Sequence, residues 1–137
     1  MFSTSTPVTA EDTRPLIADV DPTAPGYGNH LSFDRILRRC GLAWTEFLNS
    51  LGSFDGGVIC PRLEVDYHRE VGAGSLDVDV TVLSVGRSSF RILCTVKQDG
   101  LVAASVEVVL VSFSYDDRAA LPLSQQQRTD LLAHLRN

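Results

Sequence analysis

Tyr27–Leu31, reading Tyr-Gly-Asn-His-Leu, opens the stretch that decides the fold of this chain. An apolar repeat follows it directly, with steps that alternate between four and three residues. This spacing keeps one face apolar over about five turns, as in a helix that is buried along its length. We therefore predict a long core helix from about His30 to Leu51, ended by Gly52 as a C-terminal cap. The repeat consists of Phe33, Leu37, Cys40, Trp44, Phe47 and Leu51.

The second half of the chain is predicted to form strands, because apolar and polar residues alternate there. The turns between them are short, which makes neighbouring strands antiparallel, and Asp99-Gly100 is a strong hairpin signal. The run Val108–Val111 interrupts the alternation, which a bulge or burial on both faces would explain. A weaker helix pattern covers Leu123–Leu135, with Ser124 as its candidate cap. The predicted strands are Val58–His68, Leu76–Leu83, Phe90–Val96 and Leu101–Tyr115.

The N-terminal part of the chain has less pattern. Residues 1–13 are rich in Ser and Thr and are predicted to be a flexible tail, and residues 14–137 a single domain. Pro15–Val20 is a short apolar run that fits an edge strand. The loop Asp21–Gly28 contains two prolines and two glycines and is predicted to be non-helical.

Together these elements predict an α+β architecture. Half-apolar strands need a cover, and the long apolar helix supplies it. The sequence therefore predicts an antiparallel sheet wrapped around one central helix. The second face and the edges of such a sheet make association of two copies a reasonable expectation.

The composition limits the classes of function. With 137 residues, 44% hydrophobic and 21% charged, the chain fits one globular domain. A net charge of −5 and a pI near 5.0 argue against nucleic acid as a partner. No apolar stretch approaches the roughly 18 residues of a membrane span, and the N-terminus lacks the order of a signal peptide.

The cysteines predict a reducing environment and no metal site. Cys40, Cys60 and Cys94 are widely spaced, odd in number and set in apolar surroundings. We expect buried free thiols in a cytoplasmic protein. There is no paired ligand spacing, and the chain has only 3 histidines.

Several short segments, in their order and spacing, match the first turn, the central helix and the following hairpins of one known family. They are Gly28–Leu31, Ala43–Leu48, Glu64–Arg69, Gly74–Val78 and Val85–Phe90. Over roughly Leu16–Tyr115 the chain resembles hotdog-fold thioesterases of the 4-hydroxybenzoyl-CoA thioesterase type.

This resemblance implies a hotdog fold and a homodimer whose two sheets join edge to edge, or a homotetramer built from two such dimers. It also implies active sites at the subunit interface, near the N-terminus of the central helix. There the backbone N–H groups and the positive end of the helix dipole stabilise the thioester oxyanion, and a carboxylate acts as base or nucleophile. Such enzymes need no metal or bound cofactor, since coenzyme A is part of the substrate.

The chain departs from the family at the catalytic acid. In the 4-hydroxybenzoyl-CoA branch an Asp lies three residues before the turn glycine, a position that Pro25 occupies here. Two replacements are open: Asp21, farther upstream in the loop, and Asp34, in the first turns of the helix. His30 precedes Asp34 by four residues and would share its helix face. The carboxylate would then orient the histidine or activate water itself.

The remaining candidates are Asn29 and a set of substrate-binding residues. Asn29 suits a helix N-cap, and an amide that positions a thioester carbonyl would look the same. The turn backbone is expected to hold the oxyanion, and basic side chains to contact the phosphates of coenzyme A, although scattered arginines are usually just solvated. The predicted substrate-binding residues are Tyr27, Gly28, Leu31, His68, Arg69 and Arg87.

Three functions remain open at this point. The first is hydrolysis of an acyl-CoA or acyl-carrier-protein thioester. The second is binding of such a thioester without turnover, which the proline at position 25 favours. The third keeps the hotdog fold but hydrates or dehydrates a thioester, for which His30 with Asp34 would serve.

Overall fold

The computed structural model describes residues 4–7, 33–54, 57–72 and 74–136. These residues form two helices and six strands. In chain order the elements are β1 (Thr4–Pro7), α1 (Phe33–Leu51), β2 (Gly57–Tyr67), β3 (Asp77–Val85), β4 (Ser89–Gln98), β5 (Leu101–Ser114), β6 (Ala119–Ala120) and α2 (Gln125–Leu132).

All strand pairs are antiparallel, and the strand order is β1-β3-β4-β5-β2, with β6 added to β5. The predicted hairpin between β4 and β5 is confirmed, because Gln98 pairs with Leu101 across Asp99 and Gly100. Both turn residues have positive φ, 55° and 78°, as a type I′ turn requires. The strands predicted in the second half of the chain are all present, and each begins and ends within about two residues of its prediction.

Helix α1 covers one face of the sheet and contacts β1, β3 and β4. Its buried residues recur at helical spacing and meet the inward side chains of the strands in one core. Along β3 and β4 every second residue is buried, so the inner face is apolar and the outer face is exposed or half-buried. The buried residues of α1 are Ile36, Cys40, Ala43, Phe47 and Leu48.

The alternation in β5 continues through the run that was expected to interrupt it. Val108 and Leu110 are buried on the inner face, whereas Val109 and Val111 are half-buried on the outer face. The register shift of β5 lies instead at Ala103, where Val96 pairs with Ala104 but Lys97 pairs with Val102.

Strand β2 carries its own bulge, near its beginning. Ile59 pairs with Val111 and Arg62 with Val109, so two residues of β2 face one residue of β5. One of the two is Pro61, which has no N–H to donate and is tolerated at a bulge on an edge strand.

The N-terminal segment differs from its prediction in one place. Within the predicted flexible tail, Thr4–Pro7 forms the edge strand β1 and pairs with β3. Backbone hydrogen bonds can hold such a strand without any apolar periodicity. The edge strand predicted at Pro15–Val20 lies outside the described residues.

The predicted C-terminal helix and its cap are confirmed, although α2 is shorter than its pattern. Ser124 accepts a hydrogen bond from the backbone N–H of Gln127, and the Gln127 side chain accepts one from the N–H of Ser124, which forms a capping box. After α2 the chain returns to the sheet, where Leu135 forms a parallel bridge with Val82. Within the described part of the chain, neither helix has the length and apolar character needed to cross a membrane.

Candidate active site at the start of the central helix

The direction of α1 over the sheet follows from its contacts. Near its end, the ring of Phe47 meets His134 at 5.1 Å, and Phe54, just beyond the helix, meets Phe90 at 5.6 Å. Farther back, Cys40 lies against Cys94, close enough for their thiols to share a hydrogen bond. Going from residue 54 back to residue 40, the helix thus follows β4 from its first residues towards its last.

The start of α1 therefore lies over the end of β4, where Val96 pairs with Ala104 and Ala104 with Tyr67 of β2. The length of the helix is similar to that of the strands beneath it. The 19-residue helix is about 28 Å long. The stretch of β5 that pairs with β4 from Ser89 to Val96 runs from Val111 to Ala104 and is roughly 23 Å long. We call this the open end of the molecule, where α1 begins and β2 and β4 finish. The opposite end, where α1 finishes and β4 begins, is the closed end.

Asp34 is an exposed residue at the open end, in the first turn of α1. A carboxylate in this position is stabilised by the helix dipole, and the first N–H groups of a helix point out of the same terminus. The neighbouring Phe33 is 62% exposed, so the helix starts with a carboxylate beside an uncovered aromatic ring.

Tyr67 is the last residue of β2 and lies on the helix-covered face of the sheet, as do Leu63 and Val65. All three residues pair with residues of β5 that are buried on this face. It is nevertheless 47% exposed. Partial burial raises the pKa of its phenol, and the nearby Cys40 and Asp34 raise that pKa further. The phenol of Tyr67 therefore stays protonated at neutral pH.

Tyr67 was not among the site residues predicted from the sequence, where it only fell within the predicted strand Val58–His68. One feature of the sequence could have indicated it: the last inward-facing residue of β2 is a tyrosine, whose aromatic ring carries a hydroxyl group. A buried strand end would favour a ring without a polar atom.

The other predicted residues of the described chain are spread over the molecule. His68 lies one residue beyond Tyr67 but on the outer face, with Nε2 at 3.2 Å from Oγ of Ser105. The N–H groups of His68 and Arg69 both donate to the carbonyl of Ala103. Arg69 is exposed at the open end, whereas Arg87 lies in the turn between β3 and β4 at the closed end. Within one chain, the structure does not bring Arg87 to the site of Asp34.

Six of the predicted site residues lie outside the described residues and stay predictions. They are Asp21, Tyr27, Gly28, Asn29, His30 and Leu31.

The surroundings of Cys60 and Cys94 favour the protonated thiol over the thiolate. Cys40 and Cys94 are buried free thiols, as predicted, but burial was wrong for Cys60, which is exposed at the bulge of β2. A hydrogen bond from the Cys94 thiol to Cys40, together with burial, raises the pKa of Cys94 well above its ordinary value. Partial desolvation also raises the pKa of Cys60. Raised pKa values keep thiols protonated and unreactive.

In the described ranges, no cluster of three or more His, Cys, Asp and Glu side chains is placed to hold a metal ion. On the outer face, an open groove of about 350 Å³ is lined by charged side chains around Val109. Arg62 pairs with Glu64 at 2.7 Å, and Arg91 pairs with Glu107. The charges cancel within the groove, so it offers no net attraction to an anionic ligand such as coenzyme A.

A sequence model described as the thioesterase-like superfamily matches residues 15–134 of the chain. The protein belongs to this superfamily. The predicted family and its hotdog fold are therefore confirmed. No curated protein sequence matches the chain.

Solved structures of other proteins resemble the chain over nearly its whole length. A predicted thioesterase from Bacillus stearothermophilus is 21% identical, with a TM-score of 0.82, over 99% of this chain and 98% of that one. A thioesterase from Thermus thermophilus, complexed with coenzyme A and Zn, is 26% identical, with a TM-score of 0.75, over 96% of this chain and 91% of that one. A 1,4-dihydroxy-2-naphthoyl-CoA thioesterase from Synechocystis is 18% identical, with a TM-score of 0.71, over 96% of this chain and 95% of that one.

Proposed function

We propose that the protein hydrolyses an acyl thioester of coenzyme A or of an acyl carrier protein, with Asp34 as the base that activates water. The observation that carries this proposal is the exposed Asp34 carboxylate in the first turn of α1, in a chain of the thioesterase-like superfamily. The relative from Thermus thermophilus was solved with coenzyme A, which supports a coenzyme A thioester as the substrate class.

The proposed chemistry uses the chain's own groups and no cofactor. Asp34 takes a proton from a water molecule while the water oxygen forms a bond to the thioester carbonyl carbon. The negative charge that develops on the carbonyl oxygen is stabilised by backbone N–H groups at the start of α1. When the tetrahedral intermediate collapses, the C–S bond breaks, the sulfur leaves as thiolate and takes up a proton. The products are a carboxylic acid and a free thiol.

Asp34 is preferred to Asp21 as the base because its position on α1 is fixed by the fold. A helix residue keeps the geometry that a base needs towards a bound water. The aspartate expected in the 4-hydroxybenzoyl-CoA branch is replaced by Pro25, which has no acidic group. A carboxylate on the helix would restore the missing chemistry from a different position.

We further propose that the active unit is a homodimer. Strand β2 pairs with β5 along one edge, and among the described residues no strand pairs with its other edge. Most of its residues are exposed, including Leu63 and Tyr67 on the inner face. Antiparallel pairing of two β2 edges would continue the sheet, cover these residues and bring a second chain next to the open end.

A second candidate function is binding of an acyl thioester without hydrolysis. It is favoured by Pro25, which stands where that branch of the family carries its acid. The two functions differ in one observable, the release of free thiol.

The experiment is a thiol-release assay on a panel of acyl-CoA substrates with purified protein, followed by acyl-carrier-protein substrates. Of the three cysteines only Cys60 is exposed, so the native protein contributes at most one slowly reacting thiol per chain to the blank. We expect turnover by the wild type and a loss of at least about 100-fold in Asp34→Asn. Glu46→Gln, an exposed acid near the other end of the same helix, is the matched control and should keep full activity.

The outcomes separate the alternatives. Turnover that survives in Asp34→Asn and is lost in Asp21→Asn would move the base to the loop. Binding of acyl-CoA in calorimetry, with no thiol released from any substrate, would establish the binding function instead. Sedimentation of the wild type as a monomer would overturn the proposed dimer.

A further inference from the structure

The side chain of Gln98 holds the loop that crosses the open end. The chain passes from the end of β2 to the start of β3 through residues 68–76, which we call the crossing loop. The side-chain oxygen of Gln98 accepts a hydrogen bond from the N–H of Gly72 at 3.0 Å, and its Nε2 donates to the Gly72 carbonyl at 2.9 Å. Gly74 lies beside the same amide with a φ of 140°, which residues with a side chain rarely adopt. The amide of Gln98 thus pairs with both backbone groups of Gly72, as a neighbouring strand would.

Two further attachments hold the crossing loop against the sheet. The N–H groups of His68 and Arg69 both donate to the carbonyl of Ala103 in β5. The side chain of Val71 is 2% exposed and belongs to the hydrophobic core. The loop is therefore tied to β5 at its beginning and to β4 by Gln98, with a buried valine between the two ties.

These attachments place the crossing loop at the start of the central helix. Gln98 is the last residue of β4, and α1 begins over that end of the strand. Asp34, the proposed base, lies in the first turn of the same helix. The crossing loop therefore borders the space in front of the helix terminus, where the thioester is expected to bind.

The crossing loop carries one cation, Arg69, which is exposed. Its guanidinium has no hydrogen bond or ion pair to the described part of the chain, whereas Arg62, Arg91 and Lys97 each pair with a carboxylate. It lies beyond the end of β2, so the proposed pairing of two β2 edges does not include it. Its neighbour Glu70 has the opposite charge, so the attraction of a phosphate depends on the direction of the guanidinium and not on net charge. A guanidinium binds phosphate through two parallel N–H bonds, and fixing its backbone beforehand lowers the entropy lost on binding.

We propose that Gln98 is a positioning residue, whose amide fixes the crossing loop so that Arg69 binds the phosphate attached to the pantetheine arm of the substrate. Coenzyme A and acyl carrier proteins share this phosphate. The inference rests on the proposed function, since it assigns both residues a role in binding the same thioester. Arg69 touches the substrate, Gln98 acts only through the loop, and the chemical step stays with Asp34.

The kinetic test compares Gln98→Met with Gln125→Met. Methionine is similar to glutamine in length and shape but has no amide, so Gln98→Met removes both hydrogen bonds to Gly72. We expect KM for acyl-CoA to rise about fivefold and kcat to change by less than about twofold, because the lost contact serves the bound substrate and the transition state alike. Gln125, an exposed residue at the start of α2, is the matched control, and its variant should keep both constants. A fall in kcat at unchanged KM would overturn the role of Gln98.

A substrate without phosphate separates this role from a purely structural one. For an acyl-pantetheine thioester, the KM values of the wild type and Gln98→Met should agree within about twofold, since Arg69 then has no phosphate to bind. Arg69→Gln should raise KM for acyl-CoA, and adding Gln98→Met to it should raise KM no further. Equal rises with both substrates, or rises that multiply in the double variant, would overturn the proposal. If the wild type hydrolyses only carrier-bound thioesters, the acyl carrier protein replaces acyl-CoA in these comparisons.

A measurement that needs no substrate tests the two hydrogen bonds themselves. Amide hydrogen exchange at Gly72 should be slow in the wild type and in Gln125→Met, and faster in Gln98→Met, because the Gly72 N–H loses its acceptor. Unchanged exchange in Gln98→Met would overturn the proposed positioning. No turnover of any thioester by the wild type would overturn the proposed function and the role of Gln98 in substrate binding, whereas exchange at Gly72 would still report whether Gln98 holds the loop.

Discussion

The open and closed ends of this protein are built from the same strands but are held in different ways. At the closed end Phe90 is buried against Phe54. Two hydrogen bonds also join α2 to the loop after α1: Ser53 Oγ donates to Asp130 at 2.6 Å, and the Gln127 side chain donates to the Ser53 carbonyl at 3.1 Å. At the open end, Tyr67 and the start of α1 are exposed. The difference shows where the fold is stabilised and where it leaves polar groups accessible to a ligand.

The largest difference should appear when the same substitution is made at both ends. Phe90→Ala removes a side chain that is 1% exposed and should lower the free energy of unfolding by about 3–5 kcal/mol. Phe33→Ala removes one that is 62% exposed and should change it by less than about 0.5 kcal/mol. Urea unfolding of the two variants measures both values. Equal losses would show that the open end is covered as well as the closed end.

A smaller effect is expected from the cap of α2, which belongs to the closed end. Ser124→Ala removes the acceptor for the Gln127 N–H and should cost about 1 kcal/mol of unfolding free energy. Gln125→Ala, at an exposed neighbouring position, is the control and should stay within about 0.5 kcal/mol of the wild type. The thiol-release activity of both variants should be unchanged, since the cap lies away from Asp34. Lost activity in Ser124→Ala would link the two ends.

Alkaline pH should affect the open end through Tyr67. Its pKa is raised above the ordinary value of 10.0, so the folded state keeps the proton longer than the unfolded chain does. The stability that this contributes is fully present below about pH 10 and is lost as the pH rises through the folded-state pKa. Because the ring is half exposed, the effect should be smaller than that of the α2 cap.

The measurement is the urea midpoint at several pH values in wild type, Tyr67→Phe and Tyr115→Phe. The alkaline loss should be reduced in Tyr67→Phe alone. An equal reduction in both variants would show that the effect is not specific to the open end.

The smallest effect is expected on the outer face, which belongs to neither end. The Arg62–Glu64 pair is exposed, with side chains 70% and 60% accessible, so Glu64→Gln should cost less than about 0.5 kcal/mol. Glu107→Gln should cost more, because its side chain is only 31% accessible. Thermal unfolding at low and high salt compares the two. A large loss in Glu64→Gln would show that the outer face is covered in solution.

The sequence predicted the closed end better than the open end, and the reason is physical. Helix α1, the strands and the Ser124 cap follow from periodicity and local hydrogen bonding, which short stretches of sequence encode. The position of the start of α1, with Asp34 in its first turn, depends on how the helix lies over the sheet, which no local pattern contains. The same limit applies to Arg87, whose position at the closed end depends on the direction of the strands. The run Val108–Val111 left a bulge or burial on both faces open; the bulge of β5 lies at Ala103 instead, and the run reflects valines that are half-buried on the outer face.

The pairing pattern of the sheet also has a consequence for the order of folding. Strands β3, β4 and β5 follow one another along the chain and are joined by tight turns, so their contacts close short loops. Strand β2 pairs with a strand that is distant in the sequence, since β3, β4 and most of β5 lie between Gly57 and its partner Phe113. Such non-local pairing is slow to form. The three-stranded meander is therefore expected to fold early, and the edge strand β2, which carries Tyr67, to join it later.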